Sequence, residues 1–237
     1  TEDSFTEGFD FALFSAGSSI SLKYAPIAVQ NGCVVIDNSS AFRMDNDVPL
    51  VVPEVNSNEI FNNHGIIANP NCSTIQAVCA LKPLDNAFDI KRIVYSTYQA
   101  VSGAGSKGIH DLENGITHYY TTEYLSDSAE NTYTLEKFDY PIFNNCLPHI
   151  DVFLDDGYTK EEHKMIDETR KILKEPNLPI TVTTVRVPIF NSHSECINVE
   201  LENDFDLEEV KKLLADFPGI VVVDDVKNNI YPLATEA

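Results

Sequence analysis

The feature that most constrains the fold is an alternation of apolar and helical patterns near the start of the chain. A short apolar run at 11–14 leads through small residues at 15–17 into a helical pattern at 20–29, and a run at 33–37 follows that is apolar up to its last residue, Asp37. Continuous apolar strands joined by a helix are typical of a parallel sheet covered on both faces. Ligands bind at the carboxyl ends of such strands, so 15–17 and 38–40 form a candidate ligand rim, although ordinary turn chemistry explains both equally well.

A second constraint is the turn Asn-Pro-Asn-Cys at 69–72, which separates an apolar run from a helical pattern. Pro70 ends the strand because it cannot continue a ladder of hydrogen bonds. Asn71 or Ser73 is suited to cap the helix, which places Cys72 in its first turn. There the unpaired N–H groups and the positive end of the helix dipole stabilise a thiolate, the form of cysteine that attacks a carbonyl. The alternative is a small buried cysteine without chemistry.

The rest of the chain mixes strand and helix patterns. A strand pattern at 90–101 ends in a glycine-rich turn at 102–108, which lacks the spacing of a P-loop or a dinucleotide fingerprint. Thr159 and Glu162 form a capping box that opens a helix. The other predicted elements are strands at 50–52, 54–56, 180–190, 195–202 and 219–223 and a helix at 206–215.

These patterns predict an α/β chain in two parts. Residues 1–72 would form a truncated Rossmann-like parallel sheet, the remainder of a nucleotide-binding domain. Residues 73–237 would form an α+β domain with a mixed sheet. The chain opens at Thr1 without an initiator Met and stops at Ala237 without a closing helix, so we expect a fragment of a longer protein.

Composition excludes several classes of function. The formal net charge of −21 argues against binding to nucleic acid, which requires phosphate neutralisation, and against docking on anionic membranes. The five cysteines are an odd and irregularly spaced set, so a disulfide framework is not expected and a reducing cytoplasm is the expected location. Neither an HExxH nor a CxxC motif occurs, so no metal site is predicted.

A few charged residues are candidates for chemistry, each beside an ordinary alternative. His193 stands at a loop–strand junction and is suited to be the base of a cysteine nucleophile, but a lone histidine is more often structural, and spacing does not show that it meets Cys72. Arg43 is by default a solvated arginine, with a phosphate or carboxylate fork as the alternative. Glu161 and Lys164 share one helix face and would often be a solvated ion pair.

Eight blocks of sequence, in order along the chain, resemble the aspartate-semialdehyde dehydrogenase family. The blocks lie at 14–18, 37–43, 51–56, 69–74, 97–105, 161–164, 168–173 and 186–195. The resemblance covers essentially the whole chain and implies a fold like that of glyceraldehyde-3-phosphate dehydrogenase. It also implies NADPH-dependent reduction of L-4-aspartyl phosphate to L-aspartate 4-semialdehyde through a cysteine thioester, on the route to lysine, threonine and methionine.

The resemblance implies a role for each matched residue near the reacting atoms. Cys72 would be the nucleophile and His193 the general acid/base. Gln99 would orient the substrate or the thioester, and Asn71 would help to position the thiol. These roles suit the residue types, because a thiolate is nucleophilic near neutral pH and a thioester is activated enough to pass its acyl group to phosphate.

The same resemblance assigns the charged groups of the substrate. Arg186 would bind the substrate carboxylate and Glu161 its ammonium, while Arg43 and Lys164 would bind the phosphate. His163 stands between Glu161 and Lys164, where the family commonly has a tryptophan.

The implied cofactor is NADP. Ser102 and Gly103 would lie against the nicotinamide, and Ser15, Ala16 and Gly17 near the adenine-ribose part. The opening strand, the glycine-rich loop and the closing helix of the family have no equivalent in this chain, so the fragment is expected to lack the main site for the cofactor phosphates.

The family forms dimers or tetramers through its second domain, so a homodimer or homotetramer is expected. Two alternatives remain. N-acetyl-glutamyl-phosphate reductase shares the cysteine–histidine logic but does not need Glu161 to bind a free ammonium. A non-catalytic dimerisation module would use the second half of the chain without any chemistry.

Overall fold

The computed structural model describes residues 2–125 and 133–236. Packing divides the chain into two compact units. The first comprises Thr1–Ile93, Lys164–Ile180 and Val199–Val222, and the second comprises Val94–His163, Thr181–Asn198 and Val223–Ala237. Neither unit ends at residue 72, and the division into domains at that position remains a prediction.

The described residues include six α-helices and six β-strands, besides short 3-10 helices. In chain order they are β1 (Phe11–Phe14), α1 (Ser18–Gln30), β2 (Val34–Asp37), α2 (Pro53–Asn56), β3 (Ile66–Ala68), α3 (Cys72–Phe88), β4 (Ile90–Gln99), α4 (Ser106–Leu125), α5 (Lys160–Leu173), β5 (Ile180–Arg186), β6 (Ser194–Leu201) and α6 (Leu207–Asp216). Within the described ranges, no helix combines the length and the apolarity needed to cross a membrane.

The first unit contains a parallel sheet in the order β1-β2-β3. Phe11 is in register with Val34, and Val35 with Ile66. Ala25 and Ala28 of α1 are fully buried in one apolar cluster with Val35, because small side chains let the helix approach the sheet closely. The predicted βαβ unit and its parallel sheet are confirmed.

The second sheet has the order β5-β4-β6. β4 and β5 advance together, from the bond between Ile93 N–H and the Pro179 oxygen to the bond between Val187 N–H and the Gln99 oxygen. β6 runs the opposite way, since main-chain bonds just after its end reach the residues just before the start of β4. One parallel and one antiparallel pairing make a mixed sheet, so the predicted fold class is confirmed.

Two predicted strands are wrong. Residues 54–56 lie in α2, because Pro53 occupies the first helical position, where a fixed φ and a missing N–H are tolerated. Residues 219–223 have no regular structure, and Val221 is 84% exposed. A β-branched run makes a strand only beside a partner edge, and none of the described strands pairs with this one. Residues 50–52 contribute only a single bridge, from Leu50 to Ala68.

Two other strands end earlier than the apolar pattern predicts. β4 stops at Gln99 and the chain turns into a 3-10 helix at Val101–Ala104, while β5 stops at Arg186. Both strand ends carry predicted site residues. The positions at which β4 and β5 end therefore place Gln99 and Arg186, two of the predicted site residues, at the ends of neighbouring strands.

Candidate active site

Cys72 is the first residue of α3, and its side chain is exposed. The side-chain oxygen of Asn71 accepts the N–H groups of Ser73 at 3.0 Å and Thr74 at 3.3 Å, so Asn71 is the N-cap. The predicted cap and the predicted position of the thiol in the first turn are both confirmed. The alternative of a buried cysteine is wrong for Cys72, and at this position the helix end is suited to stabilise a thiolate.

A second cysteine on the same helix has the opposite environment. Cys79 is half-buried, and burial, followed by the charge of Glu54, raises the pKa of its thiol. A raised pKa keeps the thiol protonated near neutral pH, which suppresses its nucleophilicity. Of the two thiols on α3, the one in the first turn is therefore the candidate nucleophile.

Arg43 is buried rather than solvated, with 8% of its surface exposed. Its Nη1 donates to Oε1 of Glu168 at 3.1 Å, and its Nη2 donates to the main-chain oxygen of Asn38 at 3.1 Å. The default expectation of a surface arginine is thus wrong. The guanidinium is held in one orientation by a buried ion pair, which pre-organises it for any further anion.

Lys171 holds the main chain that follows Arg43. Its Nζ donates to the main-chain oxygens of Arg43 at 2.8 Å, Asp45 at 2.6 Å and Val48 at 2.9 Å. Burial lowers the pKa of Lys171, with the charges of Asp45 and Glu168 acting in the opposite direction. The three carbonyl acceptors satisfy the donors of the ammonium and fix the turn at 43–48 against α5.

Glu168 connects several of the predicted site residues of the first unit. It is 1% exposed, and besides Arg43 it binds the main-chain N–H of Asn71, which donates to Oε2 at 2.6 Å. Lys164 is half-buried and stands four residues before Glu168 on α5, on the same face of the helix. The first unit contains these predicted site residues: Arg43, Asn71, Cys72 and Lys164.

The predicted ligand rim at the ends of β1 and β2 also forms within the first unit. The hydroxyl groups of Ser18 and Ser40 lie 3.0 Å apart, and the amide of Asn38 donates to the Ser15 hydroxyl at 3.4 Å. Gly17 precedes α1 with φ of 97°, a left-handed conformation that favours glycine. Ser15, Ala16 and Gly17 are exposed, so this turn is accessible to a ligand.

The remaining predicted residues gather around the main chain of Ala100 in the second unit. His193 Nδ1 accepts the N–H of Ala100 at 3.0 Å, and Nη1 of Arg186 donates to the Ala100 oxygen at 2.6 Å. The buried side chain of Gln99 donates to Oε1 of Glu161 at 3.3 Å. The early ends of β4 and β5 place these groups together.

The environment of His193 fixes its protonation. Burial lowers the pKa of His193, the positive charge of Arg186 lowers it further, and Glu161 acts in the opposite direction. The N–H of Ala100 points at Nδ1, so the neutral ring carries its proton on Nε2. His193 is therefore a neutral imidazole at pH 7 that presents an N–H at Nε2.

Gly103 lies directly against this cluster. A Cβ at this position would stand 3.1 Å from Nη1 of Arg186 and 3.1 Å from Cε1 of His193, so a larger residue requires these side chains to shift by a few tenths of an ångström. The N–H of the neighbouring Ser102 donates to the Phe190 oxygen at 3.1 Å, which fixes the turn. Five predicted residues of the second unit, Gln99, Gly103, Glu161, Arg186 and His193, thus share one neighbourhood.

Sequence reasoning missed Glu168, Lys171 and the main chain of Ala100. Glu168 had one usable signal, since it falls between Met165 and Ile172 on the buried face of α5, where a charge requires a partner. Ala100 had none, because its contribution comes from backbone atoms. In the part of the chain that the structure describes, no group of three His, Cys, Asp or Glu side chains is arranged to hold a metal ion.

Comparison of the sequence with known proteins shows which family this chain matches. Residues 1–63 match the family described as semialdehyde dehydrogenase, NAD binding domain, and residues 81–237 match semialdehyde dehydrogenase, dimerisation domain. The aspartate-semialdehyde dehydrogenase of Aquifex aeolicus (strain VF5) is 52% identical over 234 residues, which cover 98% of this chain and 66% of that protein. The protein of the same name from Campylobacter jejuni is 49% identical over 236 residues, covering 98% of this chain and 67% of that protein.

Solved structures agree with the sequence matches. The crystal structure of aspartate semialdehyde dehydrogenase II from Vibrio cholerae aligns with a TM-score of 0.83 at 46% identity, covering 91% of this chain and 62% of that chain. A structure of that enzyme complexed with ASA aligns with the same TM-score. The chain spans about two thirds of the length of the curated relatives that it matches. On these matches, the chain belongs to the aspartate-semialdehyde dehydrogenase family.

Proposed function

We propose that this chain carries the thiol and the acid/base of an aspartate-semialdehyde dehydrogenase, which reduces L-4-aspartyl phosphate to L-aspartate 4-semialdehyde. The observation that carries the proposal is the exposed Cys72 thiol in the capped first turn of α3. The family membership supports the same reaction.

In the first step the Cys72 thiolate attacks the acyl carbon of the substrate. The new carbon–sulfur bond forms as the bond from carbon to the phosphate oxygen breaks, so inorganic phosphate leaves and a thioester remains on Cys72. The Asn71 cap supports this step, because it holds the helix end that stabilises the thiolate. Arg43 and Lys164 would bind the departing phosphate.

In the second step the thioester is reduced to the aldehyde. Reduced NADP supplies the hydride when it is bound. As the thioester carbon gains the hydride, negative charge develops on its oxygen, and the Nε2–H of His193 would donate to that oxygen. Collapse of the resulting tetrahedral oxyanion releases the aldehyde and returns the Cys72 thiolate, and the Nε2 proton stays on His193 throughout. The neutral state of His193 suits hydrogen-bond donation from Nε2, because the ring keeps its proton there throughout the step.

The charges of the second unit support an amino-acid substrate. Arg186 presents a guanidinium for a carboxylate, and Glu161 is a buried carboxylate within hydrogen-bond distance of Gln99. Glu161 would bind the free ammonium of aspartyl phosphate. An N-acetylated substrate has no such ammonium, so Glu161 favours the free amino acid over the substrate of N-acetyl-glutamyl-phosphate reductase.

The residues present fit part of an NADP site. The exposed turn of Ser15, Ala16 and Gly17 opens α1, and the first N–H groups of a helix suit phosphate or hydroxyl groups. Gly103 is exposed and has no side chain, which would let a flat ring approach the main chain at Ser102 and Gly103. The match of residues 1–63 to an NAD binding domain supports a nicotinamide cofactor, and NADP rather than NAD is part of the proposal.

We also infer a homodimer, with phosphate and aspartate semialdehyde as small-molecule partners and the cytoplasm as the location. The match of residues 81–237 to a dimerisation domain supports the dimer. A purely structural module would need neither an exposed capped thiol nor a neutral imidazole. The presence of both in one chain is what favours an enzyme over that alternative.

The decisive experiment compares two cysteine substitutions on one helix. In the enzyme that carries this chain, Cys72→Ser should lower phosphate-dependent NADP reduction by aspartate semialdehyde by at least about a thousandfold, because the nucleophile is lost. Cys79→Ser is the matched control and should keep most of the activity. Incubation of Cys72→Ala and the parent protein with substrate, followed by peptide mass spectrometry, should find an acyl adduct on residue 72 of the parent alone. Equal activity in the two serine variants would overturn the proposal.

A further inference from the structure

We propose that Glu168 is a positioning residue that completes the N-cap of α3 from α5 and locks Arg43 beside it. One carboxylate would thereby orient both the nucleophile helix and the arginine assigned to phosphate. The inference rests on the proposed function only in taking Cys72 as the nucleophile and Arg43 as a phosphate ligand. Nothing in the sequence comparison assigns a role to this glutamate.

The geometry gives each carboxylate oxygen its own task. Oε2 accepts the main-chain N–H of Asn71 at 2.6 Å, and Oε1 accepts from Nη1 of Arg43 at 3.1 Å. The carboxylate is 1% exposed, so water does not compete for these two bonds. A buried carboxylate that accepts a charge-assisted bond from one side and a main-chain bond from the other has little orientational freedom.

The bond to Asn71 replaces a local capping box. In a capping box, a Glu or Gln at the third helical position reaches back to the N–H of the N-cap residue. The third helical position of α3 is Thr74, whose side chain is too short for that task. Glu168, 97 residues further along the chain, supplies the missing acceptor. The cap of α3 is therefore shared between Asn71, which binds the N–H groups of the first turn, and a carboxylate of another helix.

Lys171 extends the same arrangement. It lies three residues after Glu168, on the same side of α5, and binds the main-chain oxygens of Arg43, Asp45 and Val48. Arg43 is thus held at both ends, by Glu168 at the guanidinium and by Lys171 at the main chain. Two side chains of α5 therefore fix the position of Arg43, the residue proposed to bind the phosphate.

A positioning role and a purely electrostatic role predict opposite effects on Cys72. A negative charge near a thiol disfavours the thiolate, so loss of that charge alone would shift the alkylation profile of Cys72 to lower pH. Loss of the cap would shift it to higher pH, because the helix end that stabilises the thiolate is no longer held. The direction of the shift therefore decides between the two roles.

The experiment measures the iodoacetamide reaction of Cys72 as a function of pH, in the protein as it exists, with peptide mass spectrometry to follow residue 72 apart from the exposed Cys146 and Cys196. Glu168→Gln can satisfy only one of the two donors, so the profile should move to higher pH and the rate near neutral pH should fall by about three- to tenfold. Glu175→Gln, an exposed position on the segment that follows α5, is the matched control for removal of one carboxylate and should match the parent.

A second variant keeps the proposal testable if Glu168→Gln does not fold. Glu168→Asp retains the charge but shortens the reach, so the profile should again move to higher pH while the charge is unchanged. A melting temperature that falls without any shift of the profile would indicate a merely structural ion pair and would overturn the proposal, as would a shift to lower pH.

Turnover separates this inference from the proposed function. In active enzyme, Glu168→Gln should raise the KM for phosphate more than it lowers kcat, because Arg43 loses its anchor. A parent protein without dehydrogenase activity but with the predicted shift in Cys72 alkylation would contradict the proposed function and leave the positioning role standing. An active enzyme whose alkylation profile and phosphate KM ignore the substitution would contradict the positioning role alone.

Discussion

The two clusters of predicted site residues are held by different means. Around Cys72, the fixing groups are charged side chains of α5, with Glu168 binding the N-cap and Arg43. Around His193, the fixing groups are main-chain atoms of one residue, because Ala100 gives its N–H to the imidazole and its oxygen to Arg186. One cluster depends on buried charge and the other on the path of the backbone.

This difference determines what each cluster tolerates. A main-chain donor persists through most substitutions, so the orientation of His193 survives changes that would remove a side-chain partner. A buried ion pair is lost with either member, and the charge that remains is costly to keep buried. The nucleophile is therefore the more fragile of the two groups towards mutation at a distance, and three measurements test the contrast.

The largest effect is expected from removal of the imidazole itself. His193→Gln should lower kcat by about 10²- to 10⁴-fold, because the ring that donates its Nε2–H to the developing oxyanion is lost. His163→Gln is the control, since His163 binds Asp156 at 2.7 Å on the outside of α5 and has no proposed part in the reaction. Steady-state rates of phosphate-dependent aldehyde oxidation provide the measurement. Comparable losses in both variants would deny His193 its role.

The next largest effect is expected from loss of Lys171 in α5, compared with loss of Lys174 just after the helix. Lys171→Met should lower the free energy of unfolding by about 1–3 kcal/mol, because three main-chain oxygens of the turn at 43–48 lose their donor. Lys174→Met removes only an exposed pair with Glu59 and should lower it by at most about 1 kcal/mol. Urea denaturation of both variants measures the difference. A larger loss for residue 174 would mean that charge at the surface, not the buried anchor, holds the first cluster.

The smallest effect concerns the pH dependence of stability. Burial lowers the pKa of His193 below its ordinary value of about 6.5, so the unfolded chain binds a proton at a higher pH than the native protein does. The contribution of this group to the free energy of unfolding is full above about pH 6.5 and is lost as the pH falls towards the native pKa. Chemical denaturation across that range should show that the free energy of unfolding falls more steeply with decreasing pH in the parent than in His193→Gln. Parallel curves would indicate that the backbone cluster leaves the ring as solvated as in the unfolded chain.

Local sequence signals predicted the elements that begin or end at a recognisable residue. The βαβ pattern at 11–37 and the cap of Asn71 depend on neighbours within a few positions, so pattern and capping preference were sufficient. The strand predicted at 219–223 is wrong because a β-branched run forms a strand only beside a partner edge, which is a property of tertiary structure. Residues 54–56 failed because Pro53 was taken as a strand boundary and instead opens a helix.

The candidate site was predictable only in its residue types. The family blocks offered Cys72, Gln99, Arg186 and His193 as candidates, but did not indicate which groups hold Arg186 and His193. The bonds from Glu168 join positions far apart in sequence, and the contribution of Ala100 has no side-chain signature at all. Long-range anchors of this kind follow from packing, which one sequence does not specify.

The pairing of Arg43 with Glu168 has a consequence for recombination between relatives. The two residues are 125 positions apart, and exchange of either one removes the charge-assisted bond between them. A chimera with a crossover between them inherits one member from each parent. The start of α3 would then be held in place only if both parents use the same pair. Crossovers that keep the segment from Arg43 to Lys171 intact should therefore yield active hybrids more often than crossovers within it.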